Sequence, residues 1–442
     1  METQVSTRQV LAEKWGRVLN SPNADPISRD RRHVVAQILE NQAHEMRSQN
    51  NMLSEAAPTN SVANAGVANW DPILISLARR AMPNLIAFDV AGVQPMNGPT
   101  GLIFCMKSRY NAMNGTEALH NEADTDFSGA GLHGGDPSSL LGAAGSNDTG
   151  TPGSNQGAGT GDGLADDFGF GYGMPTASAE DNNYNEVGFS IEKTSVTAVS
   201  RQLKANYSLE LYQDLKAIHG LDADAELANI LAPEILAEIN RELLRTITSR
   251  AKLGAQTPNV ATAGVFDLST DADGRWSAEK IKGMVLQLEL EANQIAKDTR
   301  RGRGNFILCS SNVAAALRMA GVLDYAPLMK TDALKVDDTG GTFAGTLNGW
   351  LKVYIDPYAV VDYCVVGYRG TNAMDAGIYY CPYVALTQLR ATDPGNLSQI
   401  MAFKTRYGMV ANPFAEATPQ SGIGNIRSNT YFRIFRVQNI LG

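Results

Sequence analysis

The sequence predicts an α+β protein that contains an α/β subdomain. Apolar stripes of helical period recur in the first and middle parts of the chain, which indicates amphipathic helices. From Trp350 onward, β-branched and aromatic runs separated by Asp-Pro, Gly and Asn-Pro turns indicate a C-terminal third made mainly of strands. In between, a helix from Ser277, the strand NFILC and a short helix from Asn312 to Met319 alternate, as in an α/β unit.

Residues 1–55 are expected to form two short amphipathic helices separated by the break SPNADP. Their apolar residues recur at helical spacing: Leu11, Trp15, Val18 and Leu19 in the first, and Val34, Val35, Ile38, Leu39 and Met46 in the second. The seven basic and seven acidic residues of this region cancel. The small-residue stretch SEAAPTNSVANAGVANW that follows is typical of a boundary or linker.

One internal segment carries the whole negative excess of the chain. Between Tyr110 and Glu192 there are 13 acidic residues and no Lys or Arg, whereas the remainder has 37 basic and 33 acidic residues. The stretch from Gly129 to Gly173 also holds 15 of the 42 glycines. Because few apolar side chains are available here to offset the entropy of ordering, the sequence predicts an exposed, loop-rich insertion.

Two longer helices follow the insertion. Acidic residues at Asp222 and Asp224 favour a helix start, and an apolar residue then recurs every four positions: Leu227, Leu231, Ile235, Ile239, Leu243 and Ile247. A helix from Asp222 to Lys252 would be roughly 45 Å long, with Pro233 as a point where it could bend. The second helix is expected to be capped by Ser277 and to bury Ile281, Val285, Leu288 and Ile295.

Composition excludes several classes of protein. With 43% hydrophobic and 19% charged residues over 442 positions, the chain can bury a core, and its net charge of −9 argues against a dedicated nucleic-acid binder. No apolar run is long enough to cross a membrane and the N-terminus lacks a signal peptide, so a cytoplasmic protein is expected. The four scattered cysteines are then expected to be buried, reduced thiols.

No catalytic, cofactor-binding or metal-ligating residue is predicted, and no cofactor is implied. The five histidines form no zinc motif, and neither a GxSxG turn nor a GxxxxGK[ST] phosphate loop is present. The acidic pairs Asp124/Asp126 and Asp166/Asp167 do not complete a calcium loop. Arg300, Arg301 and Arg303 could contact phosphate or a neighbouring subunit's acids, but a helix dipole also favours arginines at a helix C-terminus. These features favour a structural or assembly protein; the alternative is an oligomeric enzyme with a glycine-rich lid.

A resemblance extends this interpretation. NLIAFDVAGVQPMNGPTG at residues 84–101 resembles the signature segment of the major capsid proteins of T-even-like tailed phages, the myovirus head proteins. Three further stretches are similar to the same family: the run that begins SRQLKANYSLELYQDL at Ser200, VYIDPYA from Val353, and MDAGIYYCPYVAL through MAFKTRYGMVANPFAEA between Met374 and Ala417. These strings are long and idiosyncratic, and together with the chain ends the likeness covers most of the sequence.

The resemblance implies the Johnson fold shared by tailed-phage capsids and the herpesvirus shell floor. It divides the chain into a helical N-terminal propeptide (1–55), an N-terminal arm (56–101), an extended hairpin loop (102–202) with the Gly-rich acidic insertion (110–185), a peripheral domain (203–276) with the spine helix (222–252), a mainly axial domain (277–389) and a return to the peripheral domain (390–442). The hairpin strands are expected around Leu102–Ser108 and Glu186–Gln202. The insertion is shorter and far richer in Gly than the insertion domain that the family implies.

The resemblance also implies a function. A capsid protein of this family is not an enzyme; it assembles as a homo-oligomer, in hexameric capsomers, into an icosahedral or prolate phage head that encloses double-stranded DNA without sequence-specific binding. Vertex protein, portal, scaffold, prohead protease and possible decoration proteins are the implied partners, membranes are not involved, and the implied location is the virion after assembly in the host cytoplasm. Two alternatives stay open, a vertex (pentamer) capsid paralogue and a non-viral encapsulating shell protein.

A processing site is expected at the composition change near residue 55. In the resembling family, a prohead protease cuts after Glu in an aliphatic-x-Glu sequence followed by a small residue. Leu53, Glu55 and Ala56 supply this pattern in Leu53-Ser54-Glu55-Ala56, between the amphipathic helices and a stretch that a protease could thread. Removal of residues 1–55 would leave the formal side-chain charge at −9.

Overall fold

The computed structural model describes residues 10–20, 27, 29–54, 85–119, 123–124, 127–134, 169–174, 176–180, 184–220, 223–256, 260–272, 274, 276–321, 323–325, 342–372, 374–393, 395, 398–416 and 422–440. The chain divides into two compact units. The first comprises Met1–Ile103 and Lys193–Gly442, and the second comprises Phe104–Glu192.

Helices occur mainly in the first unit. In chain order they are α1 (Gly16–Leu19), α2 (Arg29–Ser54), α3 (Ala87–Val90), α4 (Thr176–Glu180), α5 (Leu209–Asp214), α6 (Ala223–Arg250), α7 (Ser277–Thr299) and α8 (Ser311–Met319), with a π-helical turn at Leu215–His219 after α5. None of the helices in the described ranges is both long and apolar enough to cross a membrane.

The described strands number seventeen. They are β1 (Gly92–Val93), β2 (Thr100–Tyr110), β3 (Glu117–Ala118), β4 (Ala130–Gly134), β5 (Gly169–Tyr172), β6 (Val187–Thr197), β7 (Val199–Tyr207), β8 (Ala251–Leu253), β9 (Val265–Asp267), β10 (Phe306–Ser310), β11 (Leu323–Tyr325), β12 (Thr342–Leu347), β13 (Leu351–Asp356), β14 (Tyr363–Gly367), β15 (Ile378–Thr392), β16 (Gln399–Ala411) and β17 (Asn429–Gln438).

Two sheets organise the first unit. The larger runs in the order β11-β12-β13-β10-β14-β17-β8, with β9 also paired to β17, and the smaller runs β1-β15-β16-β7. The larger sheet is mixed, since β10 pairs parallel with β13 and antiparallel with β14. The predicted α+β class with an α/β subdomain is confirmed, because α7, β10 and α8 follow one another beside this sheet.

The larger sheet is buried on both faces. Along β10, Phe306 and Leu308 belong to one core cluster while Ile307 and Cys309 belong to a second, which α7 and α8 help to form. The first cluster also takes in α6 and the N-terminal helices. Both faces of β10 are buried, so neither face favours polar side chains. The sequence of the strand from Phe306 to Cys309 is therefore a continuous apolar run and does not alternate.

The N-terminal region differs from the expected pair of short helices. Residues 10–14 are helical, α1 follows, and α2 extends over 26 residues, while the break SPNADP lies outside the described residues. Trp15, Leu19 and Ile38 are buried in the same core cluster as α6 and β15. The division of the chain into propeptide, arm, hairpin and axial and peripheral domains stays a prediction.

The two long central helices are confirmed, with corrections at their ends. The apolar stripe of α6 from Leu231 to Ile247 is buried, and Pro233 lies inside the helix. Lys252 belongs to β8 instead, because β17 offers it a parallel strand partner. Ser277 is the first residue of α7 and not its cap: Trp276 precedes the helix with extended backbone, and its N–H donates to the Glu279 carboxylate at 3.4 Å.

The second unit contains the hairpin and the ends of the glycine-rich insertion. Strands β2 and β6 are neighbours in a three-stranded sheet with β3, and they carry the chain into and out of this unit. Strands β4 and β5 pair antiparallel through Gly131 and Gly171, so the insertion, expected to be loop-rich, includes a ladder; residues 135–168 lie outside the described ranges.

The stretch Glu186–Gln202, expected to form one hairpin strand, is divided. Strand β6 stays with β2, but β7 pairs antiparallel with β16 over Val199–Tyr207 and so belongs to the smaller sheet of the first unit. Sequence periodicity could not show this division, since both segments alternate in the same way and the partner strand lies about 200 residues further along the chain.

Candidate assembly surfaces

The predicted processing residues lie at the end of α2. Leu53 is within that helix, which ends at Ser54, while Glu55 and Ala56 lie outside the described residues. The next described residue after Ser54 is Leu85. The processing site therefore stays a prediction from the sequence pattern.

The hairpin has one apolar face that is open to solvent. Leu102, Phe104 and Met106 on β2 and Val187, Phe189 and Ile191 on β6 are each between 57 and 67% exposed. They alternate with residues that point to the other face, so their side chains share one side of the two strands. A contiguous exposed patch of large apolar side chains is typical of a surface that contacts another molecule.

On the opposite face of the hairpin, charged side chains of the two strands pair with one another. The Glu192 carboxylate pairs with Arg109 at 2.9 Å and with Lys107 at 3.2 Å, and Arg109 also donates to the Ser190 hydroxyl at 2.9 Å. The Lys107 side chain is only 4% exposed, so its ammonium group is held by this pair rather than by bulk water. These contacts link the two strands on one face and leave the side chains of the apolar face exposed.

A second apolar surface lies at the loop between β13 and β14. Tyr358, Val360 and Val361 are exposed, and Val360 is 99% exposed. The loop is anchored by the buried carboxylate of Asp356, which accepts hydrogen bonds from Arg241 at 2.7 Å and from the Tyr363 hydroxyl at 2.7 Å. An exposed apolar tip on a rigid base is a further candidate for contact with another chain.

An open groove of about 530 Å³ runs along α6, but its charges are largely paired within the chain. It is lined by Arg201, Glu238, Arg241, Glu242, Arg245, Thr246 and Ser249. Arg201 donates to Glu238 at 2.6 Å and to the Tyr407 hydroxyl at 2.6 Å, while Arg241 binds Asp356. These pairs join α6 to β7, β16 and β13, so the paired charges of the groove contribute to the packing of the fold.

The three arginines after α7 have separate surroundings. Arg300 ends the helix in the left-handed conformation with φ of 54°. Arg301 pairs with Asp375 at 3.5 Å, and the Arg303 guanidinium stacks 3.8 Å from the centre of the Trp350 ring. Arg301 and Arg303 therefore have partners within the described part of the chain, and neither needs a phosphate ligand to explain its position.

The described residues offer no cluster of metal ligands, and the cysteines are buried. Among those residues no group of three His, Cys, Asp or Glu side chains is close enough together to hold a metal ion. All four cysteines are free and buried, as the sequence predicted. Burial raises the pKa of the Cys309 and Cys381 thiols to about 12 and that of Cys364 well above its ordinary value, so these thiols are inert in the folded protein.

These thiols should make the protein less stable in mild alkali. Above about pH 9 the unfolded chain loses the thiol protons while the folded chain keeps them. Stability is therefore complete below pH 9 and decreases as the pH rises toward the folded pKa values. Between pH 8 and pH 9.5 we expect the free energy of unfolding to fall by about 2 kcal/mol for three such groups. Guanidinium titrations at both pH values measure the fall.

The matched control is the triple variant Cys309→Ala, Cys364→Ala, Cys381→Ala. It should be less stable at pH 8 because of the volume removed, yet its stability should change much less between the two pH values. An equal fall in the variant would show that other groups cause the pH dependence.

The fold and its surfaces together define a class of protein. Exposed apolar side chains lie together on the hairpin and at a loop tip. Surfaces of this kind are typical of a protein that associates with other chains. Comparison with known proteins identifies the assembly: residues 67–437 match the family "Major capsid protein Gp23", and this chain belongs to that family of phage capsid proteins.

Individual relatives agree with the family. The chain is 42% identical to the major capsid protein of Serratia phage KSP90, over 97% of this chain and 98% of that protein. It is 38% identical to the major capsid protein of Enterobacteria phage T4, over 99% of this chain and all of that protein. Similarity to the T4 capsid vertex protein is lower, 28% identity over 54% of this chain and 56% of that protein.

Family membership and the observed elements establish the Johnson fold that the resemblance implied: a long hairpin, a long helix packed on a sheet, and a second sheet flanked by helices. Among solved structures, the capsid of Myoviridae phage XM1 matches with a TM-score of 0.38 at 8% identity, over 80% of this chain and 92% of that chain.

Sequence reasoning missed the surfaces described above. The alternation of Phe104, Met106, Phe189 and Ile191 was visible in the sequence, but alternation alone does not show which side of a strand a core will cover. Asp356 was visible only as part of an Asp-Pro turn, whereas its buried pairing with Arg241 depends on a residue 115 positions away.

Proposed function

We propose that this major capsid protein forms hexameric capsomers and that the apolar face of the hairpin makes the contact between neighbouring copies in the head shell. The exposed apolar face of β2 and β6 is the observation that supports this arrangement. In a closed ring of identical subunits, each copy presents the same surface to the next one, so a single face is used repeatedly around the capsomer.

The energetics favour such a contact. Each large apolar side chain that becomes fully covered stabilises the contact by about 1.5 to 3 kcal/mol before the losses of association are subtracted. Six side chains of this kind give a moderate interface for one pair of subunits. In a shell, every subunit makes several such contacts at once, and multivalency turns moderate pairwise affinities into a stable particle.

The same proposal includes proteolytic processing and the other proteins of the head. Residues 1–55 are removed after Glu55 by a prohead protease once the scaffold has directed assembly, and vertex protein, portal and possible decoration proteins complete a head that encloses double-stranded DNA. The charge distribution supports a shell without tight DNA binding. Outside Tyr110–Glu192 the chain has 37 basic and 33 acidic residues, which is close to neutral.

The hairpin contact can be tested by the double change Phe104→Ser, Phe189→Ser. Both side chains are more than half exposed, so the monomer should fold as before, while hexamers and shells should no longer form. Analytical ultracentrifugation and electron microscopy of the purified protein under assembly conditions measure the result, and circular dichroism with thermal unfolding tests the fold.

Met113→Ser is the matched control, since Met113 is 71% exposed in the same unit but lies outside the two strands. The control should assemble like the unaltered protein. Normal shells from the double variant would rule out the hairpin face as the contact between copies.

A further inference from the structure

Two amide side chains of α2 take the place of a β-strand along the smaller sheet. Strand β1 covers the outer edge of β15 only at its start, and the N–H of Met96 donates to Pro382 at 3.0 Å. Beyond that point the Asn41 amide donates to the carbonyls of Met96 at 2.7 Å and Tyr383 at 3.0 Å. We name Asn41 and Gln42 the edge clamp.

Gln42 completes the clamp with two bonds of opposite direction. Its side-chain amide donates to the carbonyl of Leu386, and its amide oxygen accepts from the N–H of Leu386 at 3.4 Å. A neighbouring strand makes the same pair of bonds to a residue of an antiparallel partner. Gln42 is only 1% exposed, so water cannot substitute for it in the intact chain.

The same N-terminal region supplies a substantial part of the main core. Trp15, Val35, Ile38 and Leu39 are each 1% exposed, and they lie in one cluster with the α6 stripe, with residues 85–91 and with β15 and β16. The Trp15 indole N–H donates to Glu40 at 2.9 Å, which ties the first helical segment to α2. Without these residues, an apolar patch and an open strand edge would face solvent, and both promote aggregation.

The contacts also connect the two ends of the sequence. Gln42 and Leu386 are separated by 344 positions, so the edge of β15 can be clamped only late in synthesis, by a segment that was made first. A preformed amphipathic helix that is already available when β15 and β16 emerge offers both an apolar surface and the hydrogen bonds of the missing strand. A segment that offers both features can guide the strands into place, as a folding template does.

We propose that two N-terminal segments, residues 10–20 and 29–43, act as an intramolecular folding template for the sheet of β15 and β16, through the edge clamp and the apolar face that surrounds it. The region is needed while the chain folds, and the formed sheet keeps its structure after the region is removed, although the edge of β15 and the apolar patch are then open to another chain. This role in folding is separate from the proteolytic cleavage proposed at Glu55, which determines only when the N-terminal region is removed.

The test uses the full chain with a recognition sequence for a site-specific protease inserted between Glu55 and Ala56. The protein is folded, cut, separated from its N-terminal fragment, unfolded in guanidinium and refolded by dilution, and the yield of soluble native protein is measured by size exclusion and circular dichroism. We expect the cut chain to stay folded before denaturation but to refold with a yield about tenfold below that of the uncut chain. Addition of the fragment in equimolar amount during refolding should restore the yield.

Point variants of the uncut chain test the clamp itself. Asn41→Ala with Gln42→Ala should slow refolding several-fold, whereas His44→Ala, an exposed change on the same helix, should not. Equal refolding of cut and uncut chains would overturn the proposal, and so would unfolding of the cut chain as soon as the fragment is removed, because the region would then be a permanent part of the domain. Intact Met1 in virions would overturn processing at Glu55 but leave these results unaffected.

Discussion

Glu55→Ala should stop head maturation completely, so that infected cells accumulate unexpanded proheads and release no DNA-filled particles. The Ala side chain removes the carboxylate that the aliphatic-x-Glu pattern supplies to the protease. Because Trp15, Val35 and Gln42 are buried in the main core, an uncut chain keeps its N-terminal helices attached to the sheet of β15 and β16. Mass spectrometry of wild-type particles should find Ala56 as the N-terminus, and micrographs of the variant should show only proheads.

Glu45→Ala is the matched control for this experiment. Glu45 lies in the same helix as Leu53, but its context Ala43-His44-Glu45-Met46 lacks the small residue that follows Glu55. The control should mature and yield infectious particles. Recovery of intact Met1 from infectious, DNA-filled virions would refute processing at this site.

Arg433→Met should destabilise the first unit by about 3 to 5 kcal/mol, which is a large part of the stability of an ordinary domain. The Arg433 side chain on β17 is 4% exposed and pairs with Glu291 at 2.7 Å and with Asp298 at 3.2 Å, both on α7. Glu291 also accepts from the Gln287 amide at 2.7 Å and from the N–H of Ala255 at 2.7 Å. Removal of the guanidinium would leave the buried Glu291 carboxylate without a positive partner.

Urea or guanidinium titration measures the loss, and Arg436→Met serves as the control. Arg436 lies three residues further along the same strand and is exposed, so its replacement should change the free energy of unfolding by less than about 0.5 kcal/mol. A loss below about 1 kcal/mol for Arg433→Met would show that the protein tolerates an unpaired carboxylate between α7 and β17, contrary to the argument from burial.

Local sequence pattern was sufficient for the elements of the fold. The four-residue repeat from Leu231 to Ile247 predicted α6, and the apolar runs NFILC and DYCVV predicted β10 and β14. The processing pattern around Glu55 and the long strings shared with phage capsid proteins were also visible without a structure, and the family was confirmed. These features need only neighbours in sequence, since periodicity reports which face of a single element is apolar.

Only the tertiary structure shows which residues distant in sequence pair with one another within the chain. Nothing in the pattern of Asn41 and Gln42 distinguishes them from the polar face of a solvated helix, yet they bind the edge of a strand more than 340 positions away. In the same way, β6 and β7 alternate alike, but one stays in the hairpin and the other joins β16. A polar side chain is stable in a core only when its hydrogen-bond partners arrive with it, and which groups arrive depends on how the whole chain packs. For this protein the sequence alone therefore determined the elements and the family, and packing determined which N-terminal residues hold the sheet and which hairpin side chains stay exposed for contact.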